Sequence, residues 1–375
     1  YFLARKFWSN TGATISAIFY AYAPYRAVDI WVRGALPESL AFIFFPLILL
    51  FIKEFISTNK NKYLFWLILS LAGLTLTHNL SLLIFAPFAI VWTLFWWWQS
   101  NRSKHLIYDL TSAGLASLLL SAFYLLPVIF ESSLVTLNQT TSGYYDFHLH
   151  YATLRQLFLS TFWGFGGSTW GPNDTMSFAV GHMHWIVAMI LVVFVLIKKR
   201  NKEILFFISL GLFAIFLTHG KSDFIWNLVK PMAFIQFPWR FLTMSTLFLS
   251  LGIGAIYKFI PKILTSVLLC LLLILNVGVF HPDIWRDISD QEQFSGKLWD
   301  EQRSSALSDF WPKSAPKLPN NFAPTTPEVM LNTRYPIVYF PGWTARIDGK
   351  KINVFPSGPL GLITARVPQG KNMTL

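Results

Sequence analysis

Between Phe7 and Phe280 the sequence is a succession of apolar runs near bilayer length, separated by short polar stretches in which basic residues dominate. A hydrocarbon core about 30 Å thick needs roughly 20 apolar residues in a helix, and a helix is the simplest element that leaves no backbone polar group open to lipid. Nine such spans can be read, at about 8–24, 38–53, 63–77, 81–98, 106–128, 179–197, 203–218, 241–257 and 260–280. Composition agrees. Only 13% of residues are charged, against about 25% in a soluble globular chain. Residues 1–280 therefore read as an all-α polytopic membrane domain.

The net charge of +12 invites a nucleic-acid reading, which its distribution removes. Residues 281–375 hold 11 Lys/Arg and 9 Asp/Glu, so almost all the excess lies in short loops between apolar runs. With Arg5 and Lys6 in the cytoplasm and the chain alternating, 13 basic residues fall inside, Lys199 and Arg200 among them, and six outside. Positive-inside bias explains that division, and no nucleic-acid partner is implied. The same orientation makes the amphipathic segment 25–38 and the long loop 130–178 external, in a multi-pass protein of the plasma membrane. Trp96, Trp97 and Trp98 end the fourth span as an interfacial aromatic belt would. The single cysteine, Cys270, lies in an apolar run and excludes a disulfide within the chain. A start at Tyr1 and an end in mid-strand suggest a fragment cut at both ends.

Beyond residue 280 the pattern changes. Residues 281–333 are rich in Pro, Ser and Asn and read as an irregular extracytoplasmic lead-in. Residues 334–375 read as a small antiparallel β-domain outside the cell. Ile337–Phe340, Trp343–Ile347, Lys351–Phe355 and Leu362–Val367 are its strands, set off by Pro341-Gly342, Asp348-Gly349, Ser357-Gly-Pro359 and Gln369-Gly370. Asp-Gly between alternating strands is a strong hairpin signal.

Ionisable groups at a membrane boundary mark a functional site by default. Tyr25–Glu38 holds Arg26, Asp29, Arg33 and Glu38 between two spans. Helical spacing puts Asp29 and Arg33 (i, i+4) on one face. Two readings stay open: a structural ion pair holding a re-entrant turn shaped by Gly34 and Pro37, or a carboxylate–arginine site for an anionic lipid headgroup, whose phosphate matches the planar guanidinium fork. In Ile235-Gln-Phe-Pro-Trp-Arg-Phe241, Arg240 beside Trp239 and Gln236 is either a snorkelling cation or a second phosphate ligand. His78 and Asn79 sit in a tight polar turn, where helix capping competes with function. Glu131 resembles a further rim carboxylate. His148/His150 and His182/His184 are His-x-His pairs, which in a strand would face one way and could bind a metal, although two such pairs without cysteines are weak evidence for zinc. Asp146 and Asp174 offer oxygen ligands for a divalent cation. No metal site is assigned and the cofactor stays unknown. Gly164-Phe-Gly-Gly167 lacks the strand-then-helix frame of a dinucleotide fingerprint, and the sequence has no P-loop.

Several of these segments resemble one family. Tyr1-Phe-Leu-Ala-Arg-Lys6, Tyr20-Ala-Tyr-Ala-Pro-Tyr-Arg26 with Asp29 and Val32-Arg-Gly-Ala-Leu-Pro-Glu38, Leu76-Thr-His-Asn-Leu80, Leu126-Pro127 with Glu131, Tyr145-Asp-Phe147 and Gln236-Phe-Pro-Trp-Arg240 are similar to the bacterial integral-membrane family labelled 6-pyruvoyl-tetrahydropterin synthase-related. The likeness covers roughly residues 1–280 and includes nothing of a soluble pterin enzyme. Phe340-Pro-Gly-Trp343, Asp348-Gly-Lys350 and Pro368-x-Gly370 look like the external β-domain of related multi-spanning proteins implicated in sugar transfer. The family's architecture is similar to that of C-type glycosyltransferases, which use polyprenyl-phosphate sugars outside the membrane.

The resemblance implies an integral membrane glycosyltransferase-like protein moving a sugar from a polyprenyl-phosphate donor to a cell-envelope glycan or lipid acceptor on the outer face. Arg33, Arg240 and Arg26 would bind the lipid phosphate. Asp29 and Glu38 would orient them or act on the acceptor hydroxyl, with His78, Asn79, Glu131, Gln236 and Trp239 in support. The leading carboxylate of such enzymes lies in a first external loop, upstream of Tyr1. The alternative is a lipid-linked glycan transporter or a non-enzymatic envelope-assembly scaffold. That would call for charges deep in several spans or interrupted helices in matching halves, and neither pattern is evident.

Overall fold

The structure is a computed structural model that describes residues 1–100, 102–169, 173–198, 201–304, 310–316, 328–329, 333–368 and 373–375. Lys199, Arg200 and the Gln369-Gly370 turn with its Pro368-x-Gly370 motif fall wholly or partly outside the described residues. The chain divides into two units, Tyr1–Leu125 with Gly143–Arg286, and Leu126–Ser142 with Asp287–Leu375.

Helices supply the first unit: α1 (Asn10–Ala21), α2 (Pro24–Ala27), α3 (Leu36–Thr58), α4 (Asn61–Thr77), α5 (Asn79–Gln99), α6 (Lys104–Leu120), the start of α7 (Ala122–Glu131), α8 (His182–Lys198), α9 (Lys202–Thr218), α10 (Asp223–Leu228), α11 (Leu242–Ile253) and α12 (Lys262–Asn276). Their ends follow from local chemistry. The Ser9 hydroxyl accepts from Gly12 N at the start of α1, the Asn201 side chain caps α9, and Asn59 ends α3 in the left-handed region at φ +52°.

Burial tells core helices from lipid-facing ones. Pro238–Lys258, which contains α11, has 89% of its apolar window buried, and every residue of α11 is buried. A helix apolar all round is a core helix; this one packs against α1, α8 and α9. Lys262–Val279 has only 17% of its window buried and exposes Ile263, Leu264 and Ile274, the surface a helix shows to lipid. Gly12 and Gly254 let α1 approach this core helix closely. A Cβ on Gly12 would stand 2.6 Å from Gly254 O, and one on Gly254 would stand 2.7 Å from Gly12 O.

Among the described residues four helices are long and apolar enough to cross a membrane, or up to six if each of two bent pairs counts as one span. The nine apolar runs all form helix, but several are too short to cross alone. α1 has 12 residues, about 18 Å at 1.5 Å per residue, because Pro24 opens a new turn after Ala23. The 203–218 run turns by 92° into Gly220–Leu228.

The second unit carries the rest of α7 and α13 (Asp290–Phe294), α14 (Gly296–Ser304) and seven short strands: β1 (Glu328–Val329), β2 (Thr333–Val338), β3 (Ala345–Ile347), β4 (Lys350–Ile352), β5 (Phe355–Ser357), β6 (Leu362–Ala365) and β7 (Met373–Thr374). They form two antiparallel sheets, ordered β1-β2-β6-β5 and β4-β3-β7. The expected hairpin is present. Ile347 pairs with Lys350 across Asp348-Gly349, at φ +49° and +79°, the two positive values that a tight two-residue turn requires. The expected strand Lys351–Phe355 is instead two strands in different sheets. The second holds Pro356 on an edge, where a missing N–H is tolerated.

Candidate functional site

The segment between α1 and α3 folds so that its charges meet. Pro24 presets the first turn of α2, and Val28–Val32 follows as a π-helical turn closed by Arg33 N donating to Val28 O at 2.9 Å. Such turns are rare and recur at functional sites. Gly34 then takes φ +61° and Ala35 N donates back to Asp29 O at 2.9 Å, so the chain doubles over and the first turn of α3 brings Glu38 to Arg33.

Arg33 Nη1 is the hub. It donates to Asp29 Oδ1, to Glu38 Oε2 at 2.9 Å and to the Tyr25 hydroxyl at 3.4 Å. Tyr25 OH donates to Glu38 Oε1 at 2.9 Å, and Ser39 Oγ donates to Asp29 Oδ2 at 2.9 Å. Arg240 arrives from 200 residues away, with Nε 3.5 Å from Glu38 Oε2. Its Nη1 donates to Ile235 O at 2.9 Å and to Gln236 Oε1 at 3.4 Å. Asp29 and Glu38 are 0% and 1% exposed and Arg240 8%, so two carboxylates and two guanidiniums share one desolvated site. Burial, followed by the adjacent Glu38 carboxylate, holds Asp29 well above the usual carboxylate range against the pull of Arg33.

Aromatic rings form one wall. The Arg33 guanidinium lies 4.7 Å above the Trp239 ring, and Trp239 stacks on Phe237 at 4.9 Å and Phe178 at 5.6 Å. Two buried donors here make no hydrogen bond among the described residues: Trp239 Nε1, and Arg240 Nε, which meets Glu38 only as an ion pair at 3.5 Å. Buried donors in native proteins are nearly always paired.

Gln236 shapes the Arg240 arm. Its φ of +66° and ψ of −46°, with Phe237 N donating to Ile235 O at 2.7 Å, make a three-residue γ-turn of the strained hand. Nothing in the residue types announces it.

The expected site residues separate in the structure. Asp29, Arg33, Glu38, Arg240, Gln236 and Trp239 come together. His78 stands beside them at the α4–α5 turn, its Nδ1 2.7 Å from Ser81 Oγ; burial, opposed by the nearby Glu38 charge, keeps its pKa below the ordinary value. Asn79 is exposed at the first turn of α5. Arg26 is apart from the cluster, its guanidinium over the Phe42 and Tyr20 rings at 5.2 and 5.7 Å. Glu131, in the second unit, is exposed. Tyr25 and Ser39 were not expected, although Tyr25 lies four residues before Asp29 and Ser39 directly follows Glu38.

The histidine pairs do not act as pairs. His148 and His150 occupy a 3-10 turn and its end rather than a strand. His148 faces Asp146 at 2.6 Å and Asp223 at 3.4 Å, whereas His150 meets Ser168 Oγ at 2.7 Å and Tyr144 O. His184 Nε2 donates to Phe19 O at 2.9 Å. Asp174 accepts from Thr169 N, Gln156 Nε2 and Ser168 Oγ, which ties the loop together. Among the described residues no three His, Cys, Asp or Glu side chains gather as a metal-binding set.

The family described as 6-pyruvoyl-tetrahydropterin synthase related domain, a membrane protein family, matches residues 1–286. The chain belongs to this family. No curated protein and no solved structure matches it.

Proposed function

We propose that this member of the 6-pyruvoyl-tetrahydropterin synthase related membrane family transfers a sugar from a polyprenyl-phosphate donor to a cell-envelope glycan or lipid acceptor. The observation that carries the reading is a pair of guanidiniums, Arg33 and Arg240, gathered on buried carboxylates beside two buried donors that make no hydrogen bond among the described residues, Arg240 Nε and Trp239 Nε1. A phosphate offers several acceptor oxygens and a charge that two guanidiniums neutralise.

In this reading the acceptor oxygen bonds to the anomeric carbon while the bond from that carbon to the phosphate oxygen breaks. The electron pair leaves with the polyprenyl phosphate, and the hydroxyl proton passes to a carboxylate base. Arg33 and Arg240 stabilise the departing phosphate, while Asp29 and Glu38, both bound to Arg33, hold the guanidiniums in place. An apolar groove of about 350 Å³ between α3, α4, α5 and α6 begins at Leu82, one turn past His78, and suits a prenyl tail. The finer topology belongs to the same proposal: nine apolar segments in the membrane, the cluster and the β region on the extracytoplasmic side, and the basic end of α3 in the cytoplasm.

The test is transfer from a radiolabelled polyprenyl-phosphate hexose by the purified chain in liposomes. Arg33→Lys keeps the charge and removes the fork. It is expected to remain folded and to lose about 100-fold or more in rate, the usual effect of deleting one transition-state donor. Wild-type rate in Arg33→Lys would defeat the assignment of the site, and donor movement across the bilayer without transfer would favour the transporter.

A further inference from the structure

A second polar pocket lies at the other end of the same helices. Glu38 opens α3, and Lys53 stands 15 residues further on, about 22 Å along the helix axis. There the ends of α3 and α5 and the beginnings of α6 and α9 enclose a cavity of about 720 Å³, lined by Lys53, Ser57, Trp96, Ser100, His105 and Glu203 among others. None of these residues takes part in the arginine cluster.

Three properties limit what this cavity accepts. Its volume is in the range of small-molecule sites. Among the described lining residues the cation is Lys53 and the carboxylate Glu203, in company with the hydroxyls of Ser57, Thr58, Ser100 and Ser103, so this lining is dipolar rather than anion-selective. It sits at the level of Trp96, Trp97 and Trp98, where interfacial aromatic residues mark headgroup depth. Lys53 Nζ lies 4.0 Å over the Trp96 ring and donates to Ser57 Oγ at 3.0 Å. Trp96 is 4% exposed, and its Nε1 has no partner among the described residues.

We infer that this cavity binds the headgroup of a zwitterionic phospholipid bearing a primary ammonium, a phosphoethanolamine lipid. The phosphate is matched to Lys53 and the hydroxyls, and the ammonium to the Glu203 carboxylate. A primary ammonium donates hydrogen bonds to a carboxylate, which a quaternary one does not. The Trp96 face that a quaternary ammonium would seek is already covered by Lys53. A purely anionic headgroup would place its charge beside Glu203.

The experiment titrates the delipidated full chain in detergent with phosphatidylethanolamine, phosphatidylcholine and phosphatidylglycerol, and reads bound lipid by native mass spectrometry. Phosphatidylethanolamine is expected to bind at least fivefold more tightly than the other two. Glu203→Gln should abolish that preference, Lys53→Met should weaken all three lipids at least fivefold, and Lys60→Met, an exposed lysine at the same end, should change nothing. The two test residues lie on different helices, so loss of fold in one variant leaves the other decisive, with tryptophan fluorescence as the check. Equal or tighter binding of phosphatidylglycerol by wild type, or unchanged phosphatidylethanolamine binding in the folded variants, overturns the inference. Soluble glycerophosphoethanolamine binding as tightly as the lipid would overturn the membrane source and leave a soluble phosphate ester as the ligand.

Discussion

Replacing Glu38 by Gln tests whether the buried cluster is held by charge. The amide is nearly isosteric and its oxygen can still accept from Tyr25 OH, but its NH2 then faces Arg33 and Arg240, so the substitution removes one negative charge and one acceptor together. Glu38 has Arg33 Nη1 at 2.9 Å and Arg240 Nε at 3.5 Å. At an effective dielectric of 20 the longer of these attractions alone is about 5 kcal/mol. The carboxylate's own desolvation offsets part of it, and a buried partner left behind typically costs about 3–5 kcal/mol. Thermal unfolding in detergent, followed by tryptophan fluorescence, should therefore show Glu38→Gln losing about 6–20 °C, at roughly 2–4 °C per kcal/mol. Adding Arg240→Met removes the stranded cation. The double variant should be less destabilised than the sum of the singles by about 1–3 kcal/mol. A Glu38→Gln shift under about 2 °C, or simple additivity, would refute the claim that these charges stabilise one another.

Asp29→Asn should be milder than Glu38→Gln, because burial already favours the uncharged carboxyl. With its folded pKa above the unfolded value of about 3.9, the Asp29 contribution is full below that value and is lost as pH rises toward the folded one; melting curves from pH 5 to 9 should fall for wild type and flatten for the variant. His150 runs the other way: burial lowers its pKa, so its contribution is present above the unfolded value of about 6.5 and is lost as pH falls through the folded one. Hydrogen-exchange protection factors in 143–169, corrected for the intrinsic pH dependence of amide exchange, should fall at pH 5 in wild type, and that fall should vanish in His150→Gln. Gly254→Ala places a Cβ 2.6 Å from Trp8 Cδ1 and 2.7 Å from Gly12 O; a loss of about 1–3 kcal/mol from overpacking should appear in thermal unfolding, and an unchanged melting temperature would mean the two helices separate freely.

What the sequence revealed and what it concealed follow the range of the interactions involved. The helical character of the apolar runs, the Asp29/Arg33 spacing and the Asp348-Gly349 turn are local, and each reappears in the structure, whereas the run lengths do not foretell where a helix breaks, as α1 does before Pro24. The union of Arg240 with Glu38 is not local. It depends on how Pro238–Lys258 packs in the core, which residue types alone do not encode. Arg26 and Arg33 are chemically alike and seven residues apart, yet one sits over Phe42 and the other bridges two carboxylates. Only the π-helical turn at Val28–Val32 decides between them, and its residues do not distinguish it from an α-helical turn. The strand expected at Lys351–Phe355 divides because Pro356 suits an edge, a preference that acts only once neighbouring strands are in place.

The γ-turn at Gln236 has a mechanical consequence. Ile235 O accepts both from Phe237 N, which closes the turn, and from Arg240 Nη1. One carbonyl thus fastens a strained backbone and a buried cation together. The backbone turn at Gln236 and the position of the Arg240 guanidinium are therefore coupled through a single oxygen, and neither can shift without changing the hydrogen bonding of the other.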